Sequence, residues 1–147
     1  MIFTTINLRG LGGSLKFSVL RRIFTLLHPD VVLVQETMYD AHTACGYFLK
    51  LFHGWEVSAM DASGRSGGLL CIWNPFVCDF RSFSLSSRIL LEGHIKGFKE
   101  VIKVLNLYAP YRDRVTFWDH LVASGLLKER NLVVGGDLNL TLSFIPE

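Results

Sequence analysis

Residues 2–37 read IFTTINLRGLGGSLKFSVLRRIFTLLHPDVVLVQET, and this stretch decides the fold class. Ile2 to Leu8 is β-branched and apolar, then stops at Arg9-Gly10-Leu11-Gly12-Gly13, a run of turn formers. Ser14 is placed to cap a helix reaching about His28, with Phe17, Leu20, Phe24 and Leu27 on one face. His28 precedes Pro29, and both the helix dipole and the pre-proline restriction suit a C-terminus there. Val31-Val32-Leu33-Val34 is a short buried strand that ends at Gln35-Glu36-Thr37. Strand, helix and strand make a β-α-β opening.

A second helix is expected over Ala41 to Phe52. Five strands follow, at Trp55–Met60, Gly68–Trp73, Phe76–Ser84, Ile89–Lys96 and Val101–Leu107. Turn signals at Gly64, Asn74-Pro75, Ser86-Ser87 and Lys96-Gly97 separate them. A helix around Arg114 to Leu127 leads to a last buried strand, Leu132-Val133-Val134, which ends at Gly135-Gly136-Asp137-Leu138-Asn139. Helices bracket a run of strands, so the class is α/β with a mixed sheet. Two helices cover one face, and nothing obvious in the sequence covers the other.

The composition agrees with a packed domain. The 147 residues carry 15 Lys+Arg against 13 Asp+Glu, a formal charge of +2, with 50% hydrophobic and 19% charged residues. Charged residues usually reach about 25%, so a disordered tail and a coiled coil are excluded. No uninterrupted apolar run approaches the roughly 18 residues of a membrane span, and Met1–Gly10 lacks the pattern of a secretory signal. An intracellular location, nuclear or cytoplasmic, is the expectation. The excess of apolar residues points to strands buried on both faces, or to a chain lacking the part it packs against. Cys45, Cys71 and Cys78 are odd in number and widely spaced, as reduced core thiols would be.

Four apolar strands end in polar groups of one kind: Ile6-Asn7, Val34-Gln35-Glu36, Leu105-Asn106-Leu107-Tyr108 and Val134 to Asn139. In open α/β sheets, ligands bind beyond the carboxyl ends of strands. Strands lying side by side would bring two carboxylates, several amides and a phenol together there. No His or Cys joins them at ligand spacing, and oxygen ligands alone suit Mg²⁺ or Mn²⁺. One or two carboxylates plus phosphate oxygens are how Mg²⁺ is usually held, which points to phosphoester chemistry. Each residue alone has a plainer reading, since Asn and Asp after a strand commonly form turns and a lone Glu is commonly solvated. The joint pattern carries the argument.

Two other motifs compete. Gly10-x-Gly12 follows a strand and precedes a helix, but Leu15 stands at the third glycine of a dinucleotide fingerprint. Gly64-Arg65-Ser66-Gly67-Gly68 matches G-x-S-x-G, yet a nucleophile elbow leads into a helix and Gly68–Trp73 reads as a strand. A turn entering a strand accounts for it better.

INLRGLGG at 6–13, VLVQET at 32–37, GRSGGLLCIW at 64–73, NLYAP at 106–110 and VVGGDLN at 133–139 occur in one order. Together they resemble the endonuclease/exonuclease/phosphatase superfamily, and within it the apurinic-endonuclease-like domain of LINE-type (non-LTR) retrotransposons. The resemblance covers nearly the whole chain. It implies half of a four-layer α/β/β/α sandwich, truncated before the second sheet is complete. Residues 1–147 would then be the N-terminal portion of one such domain, with no internal boundary.

By the same resemblance, Glu36 matches the acidic metal ligand and Asn7 the amide supporting the metal. Tyr108 matches the tyrosine that hydrogen-bonds the scissile phosphate. Asp137 matches the aspartate that orients or deprotonates water, and Asn139 the amide that steadies the phosphorane-like state. Arg9 stands where some members carry an acid, which favours one metal over two, and Tyr111 where many carry Asn. A later aspartate and a closing Asp-His pair have no counterpart among these residues.

The implied activity is DNA nicking with Mg²⁺ or Mn²⁺. The alternatives are a catalytically inactive remnant that binds nucleic acid or a partner, and a small-phosphoester phosphatase. The 147 residues by themselves are expected to cleave poorly and to self-associate through an exposed apolar sheet face.

Overall fold

The computed structural model describes residues 1–63 and 66–140. Strands β1 (Phe3–Asn7) and β2 (Val31–Gln35) flank helix α1 (Ser14–Leu27), and α2 (Ala41–Leu51) follows. Next come β3 (Glu56–Ser63), β4 (Ser66–Trp73), β5 (Cys78–Leu85), β6 (Arg88–Ile95) and β7 (Ile102–Tyr108). Helix α3 (Arg114–Ala123), a 3-10 turn (Leu126–Lys128) and β8 (Leu132–Asp137) complete the order.

The strands form two sheets of four, ordered β1-β2-β4-β3 and β5-β6-β7-β8. β1 runs parallel to β2 and β7 parallel to β8, while the remaining pairs are antiparallel. The sheets pack face to face. Val31, Leu33, Leu69, Cys71 and Trp73 of the first meet Cys78, Phe80, Ile89, Leu91 and Val104 of the second in one buried cluster. Helices α1 and α2 cover the outer side of the first sheet, where Leu20, Phe24, Ala44 and Phe48 pack with Val32, Val34, Leu70 and Ile72. Leu121 of α3 packs on Leu105 and Leu107 outside the second sheet. The layers are α/β/β/α.

This arrangement corrects the expectation that the first sheet lacks a cover on its inner side. The strands from Cys78 onward do not extend the first sheet but build the second. Asn74 makes the switch, because its carbonyl accepts the amides of Val77 and Cys78 at 3.1 and 2.9 Å and turns the chain out of β4. The apolar excess thereby goes into a core shared by two sheets, and β2 and β4 are buried on both faces as their sequences suggest, while β1 is only partly covered. Self-association through a bare inner face loses its premise. Exposed apolar side chains are instead scattered, with Phe83 and Leu85 on the outer side of β5 among them.

Local differences have local causes. Ser14 is the first helical residue rather than the cap; Gly13 holds that position and no side chain bonds there. The C-terminus of α1 does fall at His28, in the left-handed conformation, with its amide bonded to Phe24. Asp40 caps α2, accepting both the amide and the hydroxyl of Thr43 at 2.9 and 2.8 Å. Helix α3 stops at Ala123, because Gly125 is left-handed (φ 74°) and the chain resumes as a single 3-10 turn. The turn expected at Gly64 lies outside the described residues. Ser63 pairs with Ser66 across β3 and β4, so Ser66 enters a strand and no nucleophile elbow forms.

Candidate active site at the strand ends

In parallel pairing, partners share a face. The register Asn7↔Gln35 and Tyr108↔Asp137 therefore points each pair the same way. Both pairs point inward, toward the gap between the sheets, at the end where β1, β2, β7 and β8 all finish. Asn7 comes from the first sheet and Asp137 from the second, and they meet: the Asn7 amide donates to Asp137 Oδ2 at 2.8 Å.

Glu36 follows Gln35 and by strand alternation would face the helices. It adopts a left-handed backbone instead, at φ 52°. This conformation is costly for a residue with a Cβ. It is held by the Glu36 carbonyl accepting from Gly10 at 2.7 Å and by Thr37 donating to Gly68 at 3.2 Å. The turn brings the carboxylate back to the inner side. There Glu36 Oε1 accepts from the same Asn7 Nδ2 at 3.1 Å. The Asn7 amide oxygen faces the other way and accepts from the Arg9 amide at 3.2 Å.

Tyr108 completes the group. Burial pushes its phenol up to about 12, and its hydrogen bond to Glu36 and the charges of Glu36 and Asp137 act in the same direction. It therefore stays protonated as a donor across the neutral range. Asn139 is also left-handed (φ 44°), and its amide N–H returns to Asp137 Oδ1 at 3.1 Å. Its side-chain amide donates to the Ala109 carbonyl, and its own carbonyl accepts from Arg114 at 2.8 Å. The segment after β8 is thus wrapped onto the segment after β7.

All five sequence-predicted residues, Asn7, Glu36, Tyr108, Asp137 and Asn139, are brought together. Two clefts open beside them. One of about 520 Å³ has Tyr111, Arg114, Asp137 and Asn139 in its wall, and the other, of about 190 Å³, has Asp61, Gly68, Ser87 and Tyr108. Two carboxylates converge on one amide group, an oxygen-rich arrangement that fits a hard divalent cation. Among the described residues no group of three or more His, Cys, Asp or Glu stands together, so Glu36 and Asp137 form a pair of carboxylates and not a full ligand set.

Two strand-end amides do not reach the cleft. Gln35 and Asn106 lie one layer deeper, buried between the sheets and bonded to each other. Strand parity was the available signal: Asn106 is two residues before Tyr108, so it shares Tyr108's inward face but sits further from the end. Lys16 was also overlooked. Its ammonium donates to the Leu8 and Gly10 carbonyls at 3.0 and 2.6 Å, tying α1 to the loop that carries Asn7 into Arg9.

Comparison with known proteins adds to this geometry. The family model described as "Endonuclease/Exonuclease/phosphatase family" matches residues 4–146. No curated protein sequence matches the chain. Among solved structures, the AP endonuclease LMAP from Leishmania major superposes with a TM-score of 0.70 at 19% identity, covering 94% of this chain and 55% of that one. A humanized TDP2 from D. rerio gives 0.69 at 18% identity, with 93% and 61% covered. The endonuclease domain of TRAS1, a telomere-specific non-LTR retrotransposon, gives 0.67 at 15% identity, with 93% and 59% covered. The chain thus spans 55–61% of the length of these structures. At such identities the likeness is one of fold.

Proposed function

Because the chain belongs to the endonuclease/exonuclease/phosphatase family, we propose that it is part of a divalent-metal-dependent phosphodiesterase that nicks DNA, of the retrotransposon type. The observation that carries this reading is the joint grip of Glu36 and Asp137 on the single Asn7 amide. Those two carboxylates come from different sheets, and their mutual repulsion, which the neutral Asn7 amide only partly offsets, would be relieved by a cation between them. Structural neighbours that act on DNA, including a TDP2 from D. rerio complexed with single-strand DNA product, favour a nucleic acid over a small phosphoester.

In this reading Glu36 would hold Mg²⁺ or Mn²⁺ with support from the Asn7 amide. The ion would offset the negative charge that develops on the phosphoryl oxygens. Asp137 orients a water and accepts its proton as it attacks phosphorus. Tyr108 donates its phenolic hydrogen to a phosphate oxygen, a role for which a phenol held protonated is suited. Asn139 steadies the five-coordinate phosphorus. Arg9, where an acid would supply a second metal ligand, favours a single ion.

The test is plasmid nicking by a C-terminally completed version of the chain with Mg²⁺, Mn²⁺ or EDTA, beside the same protein carrying Glu36→Gln or Asp137→Asn. Nicking that needs the ion and is lost in both variants is expected. EDTA-resistant nicking would defeat the metal assignment. Metal-independent DNA binding without cleavage would favour the non-catalytic reading, and faster turnover of a small phosphomonoester than of DNA would favour the phosphatase reading.

A further inference from the structure

The buried cluster between the two sheets is made of Val, Leu, Ile, Cys, Trp and Phe side chains, and beside it lie two buried amides, Gln35 and Asn106. Asn106 on β7 is fully buried, and its side chain reaches out of the second sheet into the first. Both of its amide protons are used there: one goes to the Val34 carbonyl on β2 at 3.1 Å, the other to the Leu70 carbonyl on β4 at 3.0 Å. Its oxygen accepts from Gln35 Nε2 at 2.7 Å. Gln35, also buried, donates to the Thr5 hydroxyl on β1 at 3.1 Å. One side chain of the second sheet is thus bonded directly to β2 and β4 and, through Gln35, to β1.

We propose that Asn106, acting with Gln35 and Thr5, is a positioning residue that sets the register between the two sheets and so aligns the two halves of the site. The site needs such a device. Asn7 and Glu36 belong to the first sheet, Tyr108 and Asp137 to the second. Apolar contact between sheets is non-directional and does not by itself fix a slide of an ångström or so. Hydrogen bonds weaken steeply with distance and angle. The bridge also stands in the right place. Thr5 is two residues before Asn7, Gln35 is one before Glu36, and Asn106 is two before Tyr108. Thr5 and Asn106 each lie beneath a site residue on the inner face of their own strand, and Gln35 pairs in register with Asn7.

This inference rests on the phosphodiesterase reading for its functional meaning. Its geometric claim is testable without catalysis. The experiment uses the 147-residue chain and two variants, Asn106→Leu and Gln35→Met; the second leaves Asn106 its two backbone acceptors and guards against a variant that does not fold. The first readout is the side-chain amide NMR signal of Asn7, identified by its loss in Asn7→Ala, because that amide is held by carboxylates of both sheets. The second is Mn²⁺ affinity by electron paramagnetic resonance, with Glu36→Gln as control.

Folded variants are expected to show the Asn7 signal moved to the position of a free amide. Mn²⁺ should bind roughly 10- to 100-fold more weakly, the usual effect of removing groups that orient ligands. A purely structural role predicts a shifted melting temperature with both readouts unchanged, and that result would overturn the proposal. If the parent binds Mn²⁺ no better than Glu36→Gln, the phosphodiesterase reading fails. The Asn7 signal then decides the positioning claim alone.

Discussion

Gly136→Ala is expected to disable the site from behind. Gly136 lies on β8, one residue before Asp137, with φ at +133°, a value residues with a Cβ rarely adopt. A Cβ there would overlap the Leu107 carbonyl oxygen and stand 2.9 Å from both the carbon and the nitrogen of Leu107. All three atoms are backbone of β7, so no side chain can rotate away. Non-bonded heavy atoms settle at about 3.5 Å, and clearing the carbonyl therefore requires β8 to retreat by roughly 1 Å or more. The Asn7–Asp137 bond, 2.8 Å long, would open past hydrogen-bonding range. Backbone strain and overpacking each cost about 1–3 kcal/mol, and because one retreat of β8 relieves part of both, a combined loss of about 2–4 kcal/mol is expected here. For a chain of this size that corresponds to a fall in Tm of roughly 5–15 °C. Thermal denaturation by circular dichroism measures the loss, and the Asn7 side-chain signal reports the opened contact. A variant that melts within a degree of the parent, with that signal unmoved, would show that β7 and β8 do not meet as closely as this reasoning requires.

Other perturbations test separate parts of the argument. Lys16→Met should cost about 1–2 kcal/mol, since it leaves two loop carbonyls without their charged donor, and amide exchange at Gly10 should quicken. Mg²⁺ at ten times its Kd should stabilise the chain by about 1.4 kcal/mol, and this gain should vanish in Glu36→Gln when melting is followed with and without the ion. Tyr108 titrates higher in the folded chain than the ordinary tyrosine value near 10, so its contribution to stability is complete below pH about 10 and disappears as the pH rises through about 12. Tyr108→Phe should therefore lose stability less steeply across that window in alkaline denaturation. Phe48→Ala removes the largest fully buried side chain under the first sheet and should cost about 3–5 kcal/mol by urea titration.

Strand identity was legible because every strand of the core is an apolar run closed by turn formers, and the β-α-β opening appears almost where the pattern placed it. The assignment of strands to sheets was not. Phe76–Leu107 reads as a continuation of one mixed sheet, and nothing in its alternation distinguishes pairing with β4 from facing it across a core. That distinction rests on Asn74, whose carbonyl bends the chain, and a single Asn-Pro step does not reveal the direction of the bend. The site was legible for a different reason: its residues terminate strands, and any packing that ends four such strands at one edge brings them together. What parity could not supply was the position of Glu36, because alternation sends it to the helix side and only its left-handed backbone returns it.

The buried amides show the same logic one layer down. Gln35 and Asn106 interrupt runs as apolar as VVLVQ and VLNLY, in positions where a leucine would fill the space and hydrophobic burial would favour it. A buried amide left unpaired is costly, so such residues persist only where the opposite sheet presents acceptors at matching height. Each therefore carries information about the other sheet that its own strand does not contain. Gly135 carries the complementary information, since a Cβ there would press on Leu33 Cδ1 at 2.6 Å, so glycine at that position permits the sheets to approach. A polar residue that fixes height and a glycine that fixes spacing lie side by side on β7 and β8, paired with each other in register. Together they place Asp137 against an amide from the other sheet, a contact that neither sheet could form by itself.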